Sequence, residues 1–199
     1  MLYCELTTPA NTVTLSSFQQ DTLQDIGYHM IPGMYDLVVD MMGPFPRQGM
    51  DSRSWITVRN IGTETAETTV VLTLDPATQW VASGIEPSTI SGGIAQWQVT
   101  LQPWQTWSTS FDYHTPYTVP GGSMLSHTTS ATQSVPDQTP DNNAYVQELM
   151  VVYSCDPNDK AVVPETLTLE EGASGRELEY LVRFQNIGTA PALRVVITD

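Results

Sequence analysis

The sequence of 199 residues is poor in positive charge and has no long apolar run. It contains 7 Lys+Arg against 22 Asp+Glu, for a formal net charge of −15, and Lys160 is its single lysine. Nucleic-acid-binding proteins need clustered cations for the phosphate backbone, and an anionic membrane surface repels a protein of this charge. No run of about 18 apolar residues occurs. The sequence therefore predicts no nucleic-acid partner and no membrane insertion.

Cysteine is also scarce, and its spacing fits neither a metal site nor a redox site. Cys4 and Cys155 are the two cysteines. Two are too few for a disulfide framework, and they do not form a C-x-x-C pair of the kind that binds zinc or exchanges electrons. The favoured interpretation is two unrelated thiols, with a Cys4–Cys155 bridge as the alternative.

The abundant residues favour β-structure. The chain carries 26 Thr, 18 Val, 14 Pro and 13 Gly, whereas 15% of its residues are charged, against roughly 25% in ordinary domains. Thr and Val are β-branched and fit a pleated sheet, while Pro and Gly favour turns. Long segments rich in helix formers are missing. The composition therefore predicts an all-β protein.

A short internal repeat indicates how the chain is organised. Residues 60–63, Asn-Ile-Gly-Thr, recur as residues 186–189, at an offset of 126. Each copy lies between two strand-like segments and is therefore a predicted turn, in which glycine supplies the backbone freedom. An offset near 126 corresponds to one β-sandwich domain with its linker. The repeat predicts one complete module and the beginning of a second.

Alternation of apolar and polar residues predicts seven strands between residues 35 and 155, separated by Pro, Gly, Asn and Asp turns. The predicted strands are Tyr35–Met41, Ser54–Asn60, Thr68–Leu74, Ile94–Leu101, Trp107–His114, Ser123–Thr132 and Ala144–Tyr153. Seven such strands are typical of an Ig-like antiparallel β-sandwich, which buries a tryptophan between its sheets. Trp97 and Trp55 fit that position. The residues expected to point inward are Ile56, Val58, Val70, Leu72, Trp97, Val99, Phe111, Leu125, Val146 and Leu149.

We predict three regions along the chain. Residues 1–34 are the tail of a preceding β module, residues 35–155 are the Ig-like sandwich, and residues 156–199 begin a second, truncated Ig-like module, so that the chain is a piece of a longer array. The third region has three predicted strands, where a complete sandwich needs about seven. These strands are Thr166–Leu169, Glu177–Asn186 and Leu193–Thr198. Without a second sheet to cover them, several apolar residues should stay partly exposed: Tyr180, Val182, Phe184, Val195 and Ile197.

Two linked motifs carry a resemblance to a known family. Asp156-Pro-Asn-Asp-Lys160, followed by Phe184-Gln-Asn-Ile-Gly-Thr189, resembles an Ig-like repeat of large secreted and cell-surface Bacteroidota proteins, often cargo of type IX secretion. Residues 35–153 are similar to bacterial conserved-repeat and CARDB-like (cell-adhesion-related) domains, whose usual Thr-Pro-x-Asn-Asn is matched by residues 139–143. The resemblance implies an Ig-like fold, a location at the bacterial outer surface, and neighbouring Ig-like modules as partners.

No catalytic motif is present in the sequence. Its three histidines, His29, His114 and His127, belong to no metal-binding pair, and no nucleophile elbow or phosphate-binding loop occurs. A metal site of His114, His127 and Asp112 is conceivable, but solvated histidines on strand faces are the favoured interpretation. The sequence therefore predicts no catalytic residue, no enzyme and no required cofactor.

Calcium is the one ion for which the sequence offers ligands. Asp156, Asn158 and Asp159 place three oxygen donors within four residues, and Asp137 and Asp141 lie in the loop before a predicted strand. Ca²⁺ takes about six to eight such oxygens, and loops between β-modules often provide them. The favoured interpretation of the same residues is turn formation, because Asp-Pro starts type I turns and Asn tolerates left-handed backbone.

Two tryptophans are candidate ligand-binding residues. Trp104 lies in a predicted turn and Trp107 begins the next strand, and exposed tryptophans can stack on sugars. The leading function is a non-catalytic Ig-like structural or adhesion module of a secreted or cell-surface bacterial protein, which spaces or presents neighbouring domains. The alternatives are a module that binds surface polysaccharide or protein, and an accessory region of a large secreted hydrolase.

Overall fold

The computed structural model describes residues 3–8, 14–18, 20, 26–155 and 159–196, and its elements are nearly all β-strands. Two short helical elements are a 3-10 turn at Pro140–Asn142 and the helix α1 at Leu169–Ala173. The strands are β1 (Cys4–Leu6), β2 (Tyr28–Met30), β3 (Leu37–Met42), β4 (Met50–Asn60), β5 (Ala66–Thr73), β6 (Gln79–Ser83), β7 (Thr89–Ser91), β8 (Ile94–Leu101), β9 (Thr106–Thr115), β10 (Met124–Gln133), β11 (Ala144–Met150), β12 (Asp159–Val163) and β13 (Glu179–Arg183).

The strands β3 to β11 form two antiparallel sheets that pack face to face. One sheet has the order β3-β4-β9-β6 and the other the order β11-β10-β5-β8-β7. A continuous cluster of buried apolar side chains lies between them, among them Leu37, Ile56, Leu72, Trp97 and Phe111. This region is an Ig-like antiparallel β-sandwich, and the fold class expected from the sequence is confirmed.

Period-2 alternation decides which side chains face this core. Along β9, Thr109, Phe111, Tyr113 and Thr115 are buried, while the residues between them are partly exposed. Burial of an apolar side chain stabilises the folded state by about 25 cal/mol per Å² removed from water. The inward set expected from the sequence is confirmed except at two positions, because Val99 is half-buried against the core and Val146 points out.

The prediction that Val146 points inward is wrong. Val146 is 57% exposed, whereas Gln147 and Leu149 in the same strand, β11, are buried. Successive side chains of a strand point to opposite faces. Two residues three positions apart, such as Val146 and Leu149, therefore cannot share one face of an unbroken strand.

The prediction that Trp55 is buried between the sheets is also wrong. Its side chain is 41% exposed, because Ser54 and Ile56 on either side of it in β4 take the inward positions. Trp97 does occupy the buried position, and its Nε1 donates a hydrogen bond to the carbonyl oxygen of Ile85 (2.8 Å).

The strands β6 and β7 were not predicted from the sequence. Each lies at the edge of its sheet, and neither contains a buried residue. Without a buried face, such a strand has no regular alternation of apolar and polar residues to reveal it.

The predicted strand Thr166–Leu169 is wrong, because residues 166–168 belong to no strand and Leu169 is the first residue of α1. The Oγ1 of Thr168 accepts a hydrogen bond from the N–H of Glu171 (3.2 Å), and the Glu171 carboxylate accepts one from the N–H of Thr168 (3.0 Å). This reciprocal pair is a capping box, which satisfies helix N–H groups that have no partner inside the helix. The hydrogen bonds that the N–H and the hydroxyl of Thr168 donate to the Glu171 carboxylate are the main reason that the pKa of Glu171 is lowered.

Outside the sandwich, the structure describes two small antiparallel sheets, β1 with β2 and β12 with β13. Residues 193–196, from the predicted strand Leu193–Thr198, are not in a strand, and the rest of that segment lies outside the described residues. Partial exposure is confirmed for Tyr180, Val182, Phe184 and Val195; Ile197 lies outside the described residues. No helix in the described part of the chain is long and apolar enough to span a membrane. The division into three regions stays a prediction.

Candidate functional site

The first Asn-Ile-Gly-Thr turn, residues 60–64, holds the segment 34–36 that leads into β3; we name this pair the Asn60 clamp. Asn60 is fully buried, and its Oδ1 accepts a hydrogen bond from the N–H of Gly62 (3.0 Å). Its Nδ2 donates to the carbonyl oxygens of Glu64 (2.8 Å) and Leu101 (2.9 Å). One side chain therefore closes the turn and ties it to β8.

Main-chain hydrogen bonds join the two halves of the Asn60 clamp. The N–H of Ile61 donates to the carbonyl oxygen of Asp36 (2.8 Å), and the N–H of Thr63 donates to that of Met34 (2.8 Å). The Thr63 hydroxyl accepts from the N–H of Met34 (3.2 Å) and donates to the carbonyl oxygen of Ile31 (2.7 Å). The turn thus binds the incoming chain at several points over a few residues.

The second copy of the motif, residues 186–190, binds the segment 153–155 in the same way, and we name this pair the Asn186 clamp. The Oδ1 of Asn186 accepts from the N–H of Gly188 (3.0 Å), and its Nδ2 donates to the carbonyl oxygen of Ala190 (2.7 Å). Asn186 is exposed, in contrast to its counterpart Asn60.

The main-chain bonds of the Asn186 clamp also repeat those of the first. The N–H of Ile187 donates to the carbonyl oxygen of Cys155 (2.8 Å). The N–H of Ala190 donates to that of Tyr153 (2.8 Å), as the N–H of Glu64 does to that of Met34 in the first clamp (3.3 Å). The Thr189 hydroxyl accepts from the N–H of Tyr153 (3.3 Å). The sequence repeat is therefore a repeat of a hydrogen-bonded junction and not of a turn alone.

The glycine of each clamp is required by a close approach of two backbone segments. A Cβ added at Gly62 would lie 2.3 Å from the carbonyl oxygen of Met34, and one added at Gly188 would lie 2.3 Å from that of Tyr153. Neither oxygen belongs to a flexible side chain that could move away. Any larger residue would push the clamped segment out of hydrogen-bonding distance.

Asp36 supports the first clamp from the opposite side. Its buried carboxylate accepts hydrogen bonds from the hydroxyls of Tyr3 and Thr139 (3.3 Å for Thr139) and from the Nδ2 of Asn142 (3.4 Å). The bond to Asp36, together with burial, raises the pKa of Tyr3. In the second clamp Cys155 takes the place of Asp36, so this carboxylate network has no counterpart there.

The candidate calcium ligand Asp137 is engaged by hydrogen-bond donors. Its Oδ2 accepts from the N–H of Leu37 (2.9 Å) and the Nε2 of Gln133 (3.2 Å), and its Oδ1 accepts from the N–H of Thr139 (2.8 Å). A carboxylate that accepts from main-chain N–H groups on both sides fixes the local chain path. In the structure Asp137 joins the loop before β11 to the first residue of β3.

Of the other candidate calcium ligands, the structure describes Asp159 and Asp141, which lie in different elements. Asp159 begins β12 and forms an ion pair with Arg183 of β13, while Asp141 lies exposed in the 3-10 turn. Asp156 and Asn158 lie outside the described residues. Among the residues that the structure describes, no group of three or more His, Cys, Asp or Glu side chains is placed to hold a metal ion.

The two candidate sugar-binding tryptophans have different surroundings. Trp104 is 46% exposed in a turn with φ +66°, and its N–H donates to the carbonyl oxygen of Asn60 (2.9 Å). Trp107 is half-buried and packs against the core, with its ring centroid 5.8 Å from that of Trp97. One tryptophan therefore faces solvent and the other faces the interior.

The three conceivable metal ligands Asp112, His114 and His127 do not form one cluster. Asp112 forms a bidentate ion pair with Arg53, whose hydrogen bonds lower the pKa of Asp112. The Nδ1 of His114 lies 2.6 Å from Asp51 on the same side of β9. His127, in contrast, is fully buried between the sheets. The conceivable metal site of Asp112, His114 and His127 is therefore not formed.

His127 is a polar residue inside the apolar core. Its Nδ1 accepts a hydrogen bond from the N–H of Asp75 (3.0 Å), and its ring centroid lies 4.5 Å from that of Tyr113. Burial lowers the pKa of His127 to about 4, so the ring is neutral near pH 7. The interpretation favoured by the sequence, a solvated histidine on a strand face, is wrong for His127, although its alternation with the buried residues Leu125 and Thr129 in β10 was visible. Cys4 and Cys155 are both free thiols.

One family model matches the last part of the chain. Residues 156–199 match the family model of a domain of unknown function, DUF7619. No curated protein matches the chain.

Solved structures with similarity to the chain include CARDB domains. A crystal structure of the CARDB domain of a Pyrococcus furiosus protein, in complex with di-metal ions, has 17% identity and a TM-score of 0.47, covering 67% of this chain and 99% of that one. A solution NMR structure of the same domain has 19% identity and a TM-score of 0.45, covering 59% and 95%. A crystal structure of Salmonella alpha-2-macroglobulin has 12% identity and a TM-score of 0.45, covering 70% and 8%. The assignment of an Ig-like sandwich rests on the strand order and the core described above.

Proposed function

We propose that the chain is a non-catalytic structural module of a secreted or cell-surface bacterial protein, in which it spaces and presents neighbouring domains. The repetition of the clamp carries this proposal. The same main-chain and asparagine hydrogen bonds hold the chain where it enters the sandwich and where it leaves. A device that fixes chain entry and exit suits a protein whose task is to set the position of its neighbours.

The surroundings of the module are part of the proposal. The resemblance of Asp156–Lys160 and Phe184–Thr189 to repeats of large Bacteroidota proteins supports a place on the bacterial outer surface, type IX secretion, and neighbouring Ig-like modules as partners. The net charge of −15 agrees with a role that needs neither nucleic acid nor an anionic membrane surface. Adhesion to surface polysaccharide or protein would be a further use of the same module.

Two measurements on the whole chain test the proposal. In single-molecule force spectroscopy, with the chain pulled from its termini, we expect the sandwich to unfold in one force-resistant event. In isothermal titration against a panel of polysaccharides we expect no binding. Glycan binding that is lost in Trp104→Ala and retained in Trp80→Ala, a matched change of a half-buried tryptophan beside the core, would replace the spacer function with carbohydrate binding.

We also propose that Ca²⁺ can bind at the junction after residue 155 and stabilise it, without being required. Asp156, Asn158 and Asp159 offer oxygen ligands of the type that Ca²⁺ prefers. We expect millimolar Ca²⁺ to raise the melting temperature, and the rise to be absent in the double variant Asp156→Ala, Asp159→Ala. Asp51→Ala, on the outer face of β4, is the matched control. A melting temperature that does not change with Ca²⁺ would contradict calcium binding at this junction.

A further inference from the structure

The segment Val151–Cys155 belongs to the sandwich at its start and to the next clamp at its end. Val151 is fully buried in the core. Its N–H donates to the carbonyl oxygen of Ser123 (2.8 Å), and its own carbonyl oxygen accepts from the N–H of Gly122 (2.8 Å). At this residue the chain is still part of the sandwich.

Val152 continues the same pattern against the loop between β3 and β4. Its N–H donates to the carbonyl oxygen of Pro46 (2.8 Å), its carbonyl oxygen accepts from the N–H of Gln48 (3.2 Å), and it forms a parallel bridge with Arg47. Tyr153, the next residue, is already bound by the Asn186 clamp. No unbound linker residue separates the last bond to the sandwich from the first bond to the following unit.

Side chains close the junction around this segment. The ring of Tyr153 lies directly against Gly121, where an added Cβ would be 2.1 Å from the ring. Ala190 is 8% exposed, although the residues around it in the last part of the chain are nearly all exposed. The following unit is therefore packed at this one point.

Arg47 joins the two sides across the segment. It belongs to the loop between β3 and β4, and its Nη2 donates to the carbonyl oxygen of Pro191 (2.8 Å) and to the Oγ of Ser154 (3.3 Å). A guanidinium donates in several directions from one rigid plane. Arg47 thus binds the sandwich loop to the junction and to the turn that clamps it.

We infer that Arg47 is a latch that makes the sandwich and the unit beginning at residue 159 move as one body. The inference deepens the proposed spacer function and rests on it. With the latch closed, the angle between the two units is fixed by hydrogen bonds along the shared segment, and a spacer built in this way transmits orientation as well as distance.

The test compares Arg47→Ala with Arg53→Ala, a matched loss of an arginine whose partner is Asp112 on the outer face of the sandwich. We expect the amides of Ile187 and Ala190 to exchange with solvent about tenfold faster in Arg47→Ala, the effect of losing roughly 1.4 kcal/mol of local stability. In Arg53→Ala their exchange should equal that of the wild type. Nitrogen-15 relaxation should give one rotational correlation time for both units in the wild type and two in Arg47→Ala.

Gly188→Ala is the second variant, because it breaks the clamp without changing any residue of the sandwich. It too should separate the correlation times. Wild-type units that tumble independently would overturn the inference, as would unchanged exchange and a single correlation time in Gly188→Ala or in a folded Arg47→Ala. Glycan binding in the titration would overturn the spacer function while leaving these readouts unaffected, so the two failures are distinguishable.

Discussion

Asn60 and Asn186 lie 126 positions apart and make the same two hydrogen bonds within their turns. In both, Oδ1 accepts from the N–H two residues ahead at 3.0 Å, and Nδ2 donates to the carbonyl oxygen four residues ahead, at 2.8 Å and 2.7 Å. Asn60 is buried and also reaches Leu101, whereas Asn186 is exposed. The same local motif is therefore buried in the core at the first junction and exposed at the surface at the second.

Replacing the buried asparagine should cost far more stability than replacing the exposed one. Asn60→Ala removes the donor to the carbonyl oxygens of Glu64 and Leu101. The N–H of Gly62 then keeps only its bond to the carbonyl oxygen of Asp36 (3.2 Å). The total cost should be about 3 kcal/mol. Asn186→Ala should lower the unfolding free energy of the sandwich by less than about 1 kcal/mol. Urea unfolding followed by tryptophan fluorescence measures both. Equal losses in the two variants would contradict the difference in burial.

The close approach at Gly62 predicts that this glycine tolerates no side chain. Gly62→Ala should destabilise the sandwich by about 3 kcal/mol or more, because the new Cβ meets the main-chain oxygen of Met34. Gly92→Ala is the matched control: its φ is +58° and nothing lies within 4 Å, so only the left-handed strain of about 1 kcal/mol applies. Thermal unfolding of the two variants separates crowding from strain, and a smaller loss for Gly62→Ala would be inconsistent with the clamp.

His127 should make the sandwich sensitive to acid. Its pKa is about 4 in the folded state and near 6.5 when unfolded, so between these values the unfolded chain binds more protons. The unfolding free energy should therefore fall as the pH drops below about 6.5 and reach its full loss, about 3 kcal/mol, below about 4.

Variants can assign this acid loss to one histidine. His127→Leu should remove that part of the pH dependence in urea titrations, whereas His114→Gln, beside Asp51 and less buried, should keep it. An identical pH profile for His127→Leu and the wild type would show that the buried ring is not responsible.

Trp97 and Trp55 were both predicted to be buried between the sheets, but their replacement by alanine should have different effects on stability. Trp97→Ala removes a side chain that is 2% exposed and packs on Trp80 and Trp107, and should cost about 3–5 kcal/mol. Trp55→Ala, on the outer face of β4, should cost no more than about 1 kcal/mol. Denaturant midpoints measured at a common slope test the pair, and similar midpoints would mean that Trp55 is also part of the core.

Most strands of the sandwich could be predicted because their apolar and polar residues alternate strongly. Elements without this alternation, such as β6 and β7, were missed. The strand Ile94–Leu101 was predicted with its observed bounds, because one face of it is buried. The helix α1 was missed although its capping box, Thr168 with Glu171, is local in sequence. Residues 166–169, Thr-Leu-Thr-Leu, alternate β-branched residues with leucine, which is the pattern of a strand. Val146 points outward because it lies three positions from the buried Leu149, and successive side chains of a strand point to opposite faces. Knowing that Leu149 is buried is therefore enough to place Val146 on the outer face.

The sequence by itself determined the all-β class, the positions of most strands and the existence of two equivalent turns, because alternation, turn residues and an exact four-residue repeat are local properties. Tertiary structure alone decided what those turns hold. The partners of Gly62 and Gly188 are main-chain atoms of the distant segments 34–36 and 153–155, and almost any residue type can supply a main-chain atom. The hydrogen bond from Arg47 to the carbonyl oxygen of Pro191 could not be predicted for the same reason, because every residue has a carbonyl oxygen.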